Sequence, residues 1–338
     1  MDNSLYQEAI KEATRQRYGR ARQLKSKYVP LHPDSCERDM IRVSNAYMRI
    51  VNQELKEVLP QIMDEYRRQE RNDSRMDGIG DLKAMISRKL SNALIRISQR
   101  AEKAGIQKRI EEISRKIKRA SVAEWKKTVE KTLGIEIAED YYKDELYLGA
   151  MDSWSSDIEE KMPDAPRDLT DKISEVIVDG YTGGKSATSV QKEIQEEYNK
   201  AKRNNAVKWS ESVTYLNAQI NKKNQEDAGV QKYMWYTRRD ARVRPCHRAL
   251  DGKTIWWDSP PPDWYETKSG GRIYTGKFTH PGEAYGCRCS AVPIFEKDHF
   301  APPVKNVGGN NNEIKPESEE TSGRPFAWPF GRGRGRRR

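Results

Sequence analysis

Apolar residues in the first half of the chain recur at alternating steps of three and four, and this spacing constrains the fold more than any other feature. It places each apolar set on one narrow stripe of an α-helix whose flanks are dense in Lys, Arg and Glu. The sets are Met48, Val51, Leu55, Val58 and Ile62; Ile79, Leu82, Ile86, Leu90, Leu94 and Ile97; and Ile106, Ile110, Ile113 and Ile117. Pro60 predicts a kink or restart, and Gly105 predicts a break. The pattern favours an intramolecular helical bundle over a coiled coil between chains.

The composition indicates a large surface and a polyanionic partner. One third of the 338 residues are charged, only 35% are hydrophobic, and the formal net charge is +11. Length alone suits about two domains, and the positive charge favours nucleic acid. No apolar run approaches a bilayer span, and residues 1–6 lack the pattern of a signal peptide, so we expect no membrane association.

The second half of the chain predicts a small α+β region. Prolines and a glycine-rich run predict a linker over residues 166–185, with a short helix at Asp168–Val178 inside it. Ser186 is a good N-cap for a following helix. After Gly229 the pattern becomes extended. The predicted strands are Val230–Thr237, Thr254–Trp257, Arg272–Thr275 and Ser290–Phe295, with a loop at Ser259–Asp263.

The chain as a whole is therefore predicted to be α+β and mainly α. Its predicted parts are an N-terminal arm (1–36), an extended helical region (37–165), a linker (166–185), a domain with a Cys/His-stapled β segment (186–298) and a flexible Arg/Gly-rich tail (299–338).

A candidate metal site lies between Asp240 and Pro293, where three of the four cysteines and two of the four histidines are concentrated. Cys287 and Cys289, together with His280 and either His247 or Cys246, can supply the four ligands of a tetrahedral zinc. Four protein ligands would leave no open position, so the zinc would be structural. The alternative is that these thiols and imidazoles are only buried polar groups at turns.

The last residues form a candidate nucleic-acid-binding tail. Arginine contacts phosphates and stacks on bases, and the intervening glycines keep the backbone free. The alternative is a solubilising tail without a dedicated partner. The tail arginines are Arg332, Arg334, Arg336, Arg337 and Arg338.

Motifs for catalysis are weak in this sequence. The chain has no P-loop, no Gly-X-Gly-X-X-Gly before a helix and no His-Glu-X-X-His, so we do not expect an enzyme. A metal-dependent nuclease that uses the Cys/His cluster with Asp240 and Asp251 is the alternative function.

One extended motif resembles a known family. The run from Trp235 to Gly252, which contains Arg-Asp-Ala-Arg-Val-Arg-Pro-Cys-His, is followed by His280-Pro281-Gly282 and by Cys287-Arg288-Cys289. This combination resembles the Mu F-like minor head proteins of tailed bacteriophages over about residues 186–296. In that family the position three residues before Leu-X-Gly is His or Cys, and here that position is His247. The resemblance therefore favours His247 over Cys246 as the ligand.

The resemblance implies a virion protein of the capsid interior near the portal vertex, assembled in the host cytoplasm. It would act in procapsid assembly and in DNA packaging or delivery. The implied partners are the portal protein, the major capsid or scaffolding protein, and double-stranded DNA.

Deletion of Gly331–Arg338 is expected to weaken DNA binding and to flatten its dependence on salt, because fewer phosphate contacts release fewer counterions. A mobility-shift titration at several salt concentrations measures both effects. An unchanged salt slope would contradict the prediction.

Overall fold

The computed structural model describes residues 3–18, 23–70, 79–137, 142–284 and 286–296. The predicted tail, including its five arginines, lies outside these residues. The described chain forms two compact units. Unit 1 contains the residues up to Pro33, Lys118–Ser153 and the residues from Thr214 onward, and unit 2 contains Asp34–Ile117 and Trp154–Val213.

Long helices build most of the structure. In chain order they are α1 (Asn3–Tyr18), α2 (Asp34–Glu70), α3 (Ile79–Lys103), α4 (Ile106–Leu133), α5 (Leu148–Lys161), α6 (Asp164–Thr182), α7 (Ala187–Asp227) and the single turn α8 (Pro245–Arg248). A short 3₁₀ turn lies at Asp144–Leu146. Among the described residues, none of these helices combines the length and apolar content that crossing a bilayer demands.

In unit 2 the predicted stripes form the helical core. The stripe residues of α2 and the start of α4 are all buried, as are Leu82, Ile86, Leu90 and Ile97 of α3. Between α2 and α3 the fully buried carboxylate of Glu54 lies 2.6 Å from Arg96 Nε and 2.5 Å from Arg100 Nε. Two guanidinium groups on one helix therefore compensate a charge buried on the other.

Interruptions of the helices were predicted at Gly105 and at Pro60, and a helix ends only at the first of these positions. Gly105 does separate α3 from α4 and adopts a positive φ of 63°. At Pro60 no restart occurs, because α2 continues through it to Glu70.

The short helix predicted at Asp168–Val178, within the linker predicted over residues 166–185, is part of the longer helix α6. Leu169, Ile173 and Ile177 give this segment a buried face at helical spacing. That apolar face outweighs the loop-forming tendency of the prolines at the start and the glycines at the end. The compact units also divide the chain inside α4, α5 and α7 rather than at this segment.

Unit 1 contains the sheets. The strands are β1 (Gln23–Lys25), β2 (Lys232–Tyr236), β3 (Thr254–Trp256), β4 (Pro262–Glu266), β5 (Arg272–Phe278) and β6 (Ser290–Glu296). The antiparallel main sheet has the order β1-β6-β2-β3, while β4 and β5 pair as a separate hairpin.

The strand predictions succeed where the β-branched and aromatic residues are continuous. β2, β3, β5 and β6 lie where extended segments were predicted. Pro262 and Asp263 were predicted as loop, but they begin β4, because Pro262 pairs with Phe278 at the end of an exposed hairpin. β1 was not predicted; it is three residues long, and its register on β6 joins Leu24 to Phe295.

Substitution of Gly180 in α6 tests how closely the helices of unit 2 are packed. A Cβ at this position would lie 2.5 Å from Cγ2 of the fully buried Val190. Gly180→Ala is therefore expected to lower the free energy of unfolding by about 1–2 kcal/mol, although alanine is the better helix former. Gly80 of α3 has nothing within 4 Å of the same added atom, so Gly80→Ala is the control and should not destabilise. Equal effects of the two substitutions in denaturant titrations would contradict the prediction.

Candidate metal centre

The sheet topology brings the two halves of the Cys/His motif to one edge. β2 ends at Tyr236, which pairs with Ser290 at the start of β6. Because the two strands are antiparallel, the residues after β2 and those before β6 leave the sheet at the same end. The first connection leads to α8, which carries His247, and the second carries Cys287 and Cys289.

His247, Cys287 and Cys289 form a buried cluster. Nδ1 of His247 lies 3.5 Å from Sγ of Cys287 and 3.7 Å from Sγ of Cys289. All three ligand atoms lie within 4.8 Å of one another. The His247 ring packs edge-on against Trp235 of β2, with 5.1 Å between the ring centroids.

The two thiols of the cluster titrate differently. The pKa of Cys287 lies well below that of an ordinary thiol, first because Cys289 hydrogen bonds to it and then because His247 also does. The pKa of Cys289 is raised by the same hydrogen bond to Cys287 and by burial. The hydrogen bond between the two sulfurs therefore lowers the pKa of one thiol and raises the pKa of the other.

The second ring nitrogen of His247 lacks a hydrogen-bond partner. His247 is only 3% exposed, and its Nε2 has no hydrogen-bond partner among the described residues. A buried imidazole nitrogen without a partner is costly. The structure thus retains a polar group whose burial is not compensated by the surrounding protein atoms.

His280, predicted as the fourth ligand, lies elsewhere. It is not in the group formed by the other three. Its Nδ1 is hydrogen bonded to the hydroxyl of Tyr233 at 2.9 Å, and its ring lies 4.8 Å from that of Trp257. Burial lowers the pKa of His280, which favours the neutral imidazole. The structure therefore brings together three of the four predicted ligands. His280 lies instead beside Tyr233 and Trp257.

Cys246 is not in the group formed by His247, Cys287 and Cys289. Its thiol lies 3.3 Å from Oδ1 of Asp263. Burial and this carboxylate raise the pKa of Cys246, so the thiol stays protonated. Cys246, His247 and Asp263 form a second group of close ligand atoms, which shares only His247 with the first.

Two aspartates organise the loop between β2 and α8. Asp251 accepts hydrogen bonds from the backbone N–H of Thr237 at 2.9 Å and from Arg239 Nε at 3.0 Å. Asp240 accepts from Arg288 at 2.5 Å and from the backbone N–H of Arg242 at 3.0 Å. The sequence made both residues candidate catalytic groups of a nuclease, but here their carboxylates bind loop groups.

The sequence reasoning missed the arginines around the cluster. Arg238, Arg242, Arg244 and Arg288 line a small pocket together with His247 and both cysteines. The repeated arginines between Arg238 and Arg248 were visible in the sequence, and they are the signal that would have found this pocket.

The fold and the cluster define a small α+β domain whose loops are joined through Cys and His side chains. Residues 171–292 match the family model described as phage Mu protein F like protein. Residues 171–292 are therefore similar to the phage Mu protein F like family, as the motif resemblance predicted. The match begins inside α6, earlier than the domain start predicted at residue 186.

A curated protein is similar to part of the chain. The chain is 31% identical over 83 residues to an uncharacterized protein of Haemophilus influenzae. The aligned part covers 25% of this chain and 15% of that relative. No solved structure matches the chain significantly.

The hydroxyl of Tyr233 provides a test of the core behind the cluster. Tyr233→Phe would leave Nδ1 of the buried His280 without its partner, and we expect the free energy of unfolding to fall by about 1–3 kcal/mol. Tyr265 is 54% exposed on the β4–β5 hairpin, so Tyr265→Phe is the control and should change stability by less than about 0.5 kcal/mol. Denaturant unfolding measures both; a neutral Tyr233→Phe would show that the hydrogen bond is dispensable.

Proposed function

We propose that the chain is a minor head protein of a tailed bacteriophage that acts in procapsid assembly and in DNA packaging or delivery. The observation that carries this proposal is the Mu F-like match over residues 171–292, which falls on the segment where the Cys/His motif is assembled. The wider proposal includes a place in the capsid interior near the portal vertex.

Several features of the molecule support contact with other head components. The helices of unit 2 carry dense charges on their outer faces, which suits polar contacts with a portal or with a capsid or scaffolding protein. The net charge of +11 suits a chain that meets packaged DNA through salt-sensitive phosphate contacts.

Assembly tests this proposal directly. The chain should co-sediment with procapsids when it is expressed with the portal and capsid proteins of its own phage, and a map of the portal vertex should contain its density. The control omits the portal protein, and incorporation should then fall. A chain that stays out of the particles in both cases contradicts the proposal.

We also propose that His247, Cys287 and Cys289 hold a zinc ion, with the fourth coordination position left to a donor other than these three residues. The donor set of two thiols and one imidazole suits this metal. Zinc bonds of about 2.3 Å to sulfur and about 2.0 Å to nitrogen, at tetrahedral angles, separate the two donors by about 3.6 Å. The distances from Nδ1 of His247 to the two sulfurs are 3.5 and 3.7 Å. The metal would join the loop after β2 to the loop before β6.

Zinc content provides the corresponding test. Elemental analysis of the purified chain should find close to one zinc per chain, and His247→Ala or Cys287→Ser should lose both the metal and thermal stability. Cys246→Ser is the matched control, because its thiol faces Asp263, and it should retain the metal. Metal retained by His247→Ala would exclude His247 as a ligand.

The same preparations separate a structural metal from a nuclease. The chain should not cleave DNA after chelation and return of zinc, magnesium or manganese. Metal-restored cleavage that His247→Ala abolishes would favour the enzyme instead.

A further inference from the structure

We infer that the arginine-lined pocket of unit 1, formed by Arg238, Arg242, Arg244 and Arg288, is a binding site for the phosphate backbone of DNA. This inference rests on the DNA contact in the proposed function, but it places that contact in the folded Mu F-like domain and not in the C-terminal tail.

The charge of this loop is strongly positive. Residues 238–248 contain the arginines 238, 239, 242, 244 and 248 and a single acid, Asp240. The carboxylate of Asp240 already binds Arg288 at 2.5 Å and the backbone N–H of Arg242 at 3.0 Å. With five arginines and one aspartate, residues 238–248 carry a formal charge of +4.

The loop is held in place by its neighbours. Asp251 anchors it at Thr237 N–H and at Arg239 Nε, and Arg248 Nη2 donates to the carbonyl of Val243 at 3.1 Å. Arg239 has a φ of 56° and is the residue other than glycine, among those described, that adopts a positive value. Such a backbone conformation persists only where the surroundings hold it. A loop that is already ordered loses little entropy when it binds a ligand.

The geometry favours an anion with several charges. A single carboxylate is matched by one guanidinium group, whereas four arginines line this one pocket and the side chain of Asp240 binds one of them, Arg288. Arginine is also the side chain best suited to phosphate oxygens, because its donors form a planar fork. Arg238 and Arg242 are exposed, so a large polyanion can reach them. A DNA backbone, which presents successive phosphates at a regular spacing, fits these requirements.

Fluorescence anisotropy with a duplex of about 20 base pairs tests the inference on the full chain. Arg238→Gln together with Arg242→Gln should raise Kd by on the order of tenfold at 0.1 M salt. The slope of log K against log salt should decrease by about 1–2, since each lost phosphate contact contributes about 0.9. Thermal unfolding should be unchanged, because both side chains lie at the surface.

The control removes the same charge elsewhere in unit 1. Lys268 and Lys277 are exposed in or next to the β4–β5 hairpin, and Lys268→Gln with Lys277→Gln should leave the salt slope nearly unchanged. Equal effects of the lysine and arginine pairs would overturn the inference, because general charge would then account for binding.

A tail deletion and a phosphate competition distinguish this pocket from the C-terminal tail and from a site for free phosphate. If deletion of Gly331–Arg338 lowers the slope and the loop variant does not, the pocket inference fails while the proposed DNA contact stands. If neither variant changes the slope, both fail. Displacement of the duplex by inorganic phosphate at constant ionic strength would assign the pocket to free phosphate and overturn the inference.

Discussion

The burial of Tyr233 and Trp235 on the central strand β2 is the constraint on which the rest of the Mu F-like site depends. Both side chains are 0% exposed, and they pack with Trp257, Cys287 and Cys289 in one cluster. β2 has neighbours on both sides, so its backbone is paired and its register is set by two strands. A one-residue slip would turn both aromatic rings away from this core. The loops that carry the candidate ligands are attached to β2 and β6, so the register of these two strands sets the positions of the loops.

Strand β2 positions both the buried Cys/His cluster and the arginine-rich segment of residues 238–248. Cys287 and Cys289 lie in the core with Tyr233, Trp235 and Trp257. His247 belongs to the Cys/His cluster, yet it is part of the same segment as the exposed Arg238 and Arg242. Asp240 joins the loops on either side of the cluster, because it accepts hydrogen bonds from Arg288 and from the backbone N–H of Arg242. Asp251 holds Thr237 and Arg239 within the loop after β2.

Periodic apolar residues made much of the fold predictable. The stripes through Val51, Leu90 and Ile110 are core positions because a helix repeats every 3.6 residues and burial selects one face. Over residues 166–185 the helix predicted at Asp168–Val178 is longer than expected, because Ile173 and Ile177 belong to a buried helical face. β4 was missed, since Pro262 and Asp263 are poor strand formers and pair only because β5 lies beside them.

The sequence by itself determined the helical class, the positive charge, and the motif that identifies the domain, because these depend on residue type and spacing along the chain. It also contained His247, Cys287 and Cys289 as candidate ligands. Only the tertiary structure decided that these three meet and that His280 pairs with Tyr233 instead. The physical reason is that ligands 40 residues apart converge through the antiparallel register of β2 and β6, which long-range packing sets and local sequence does not encode.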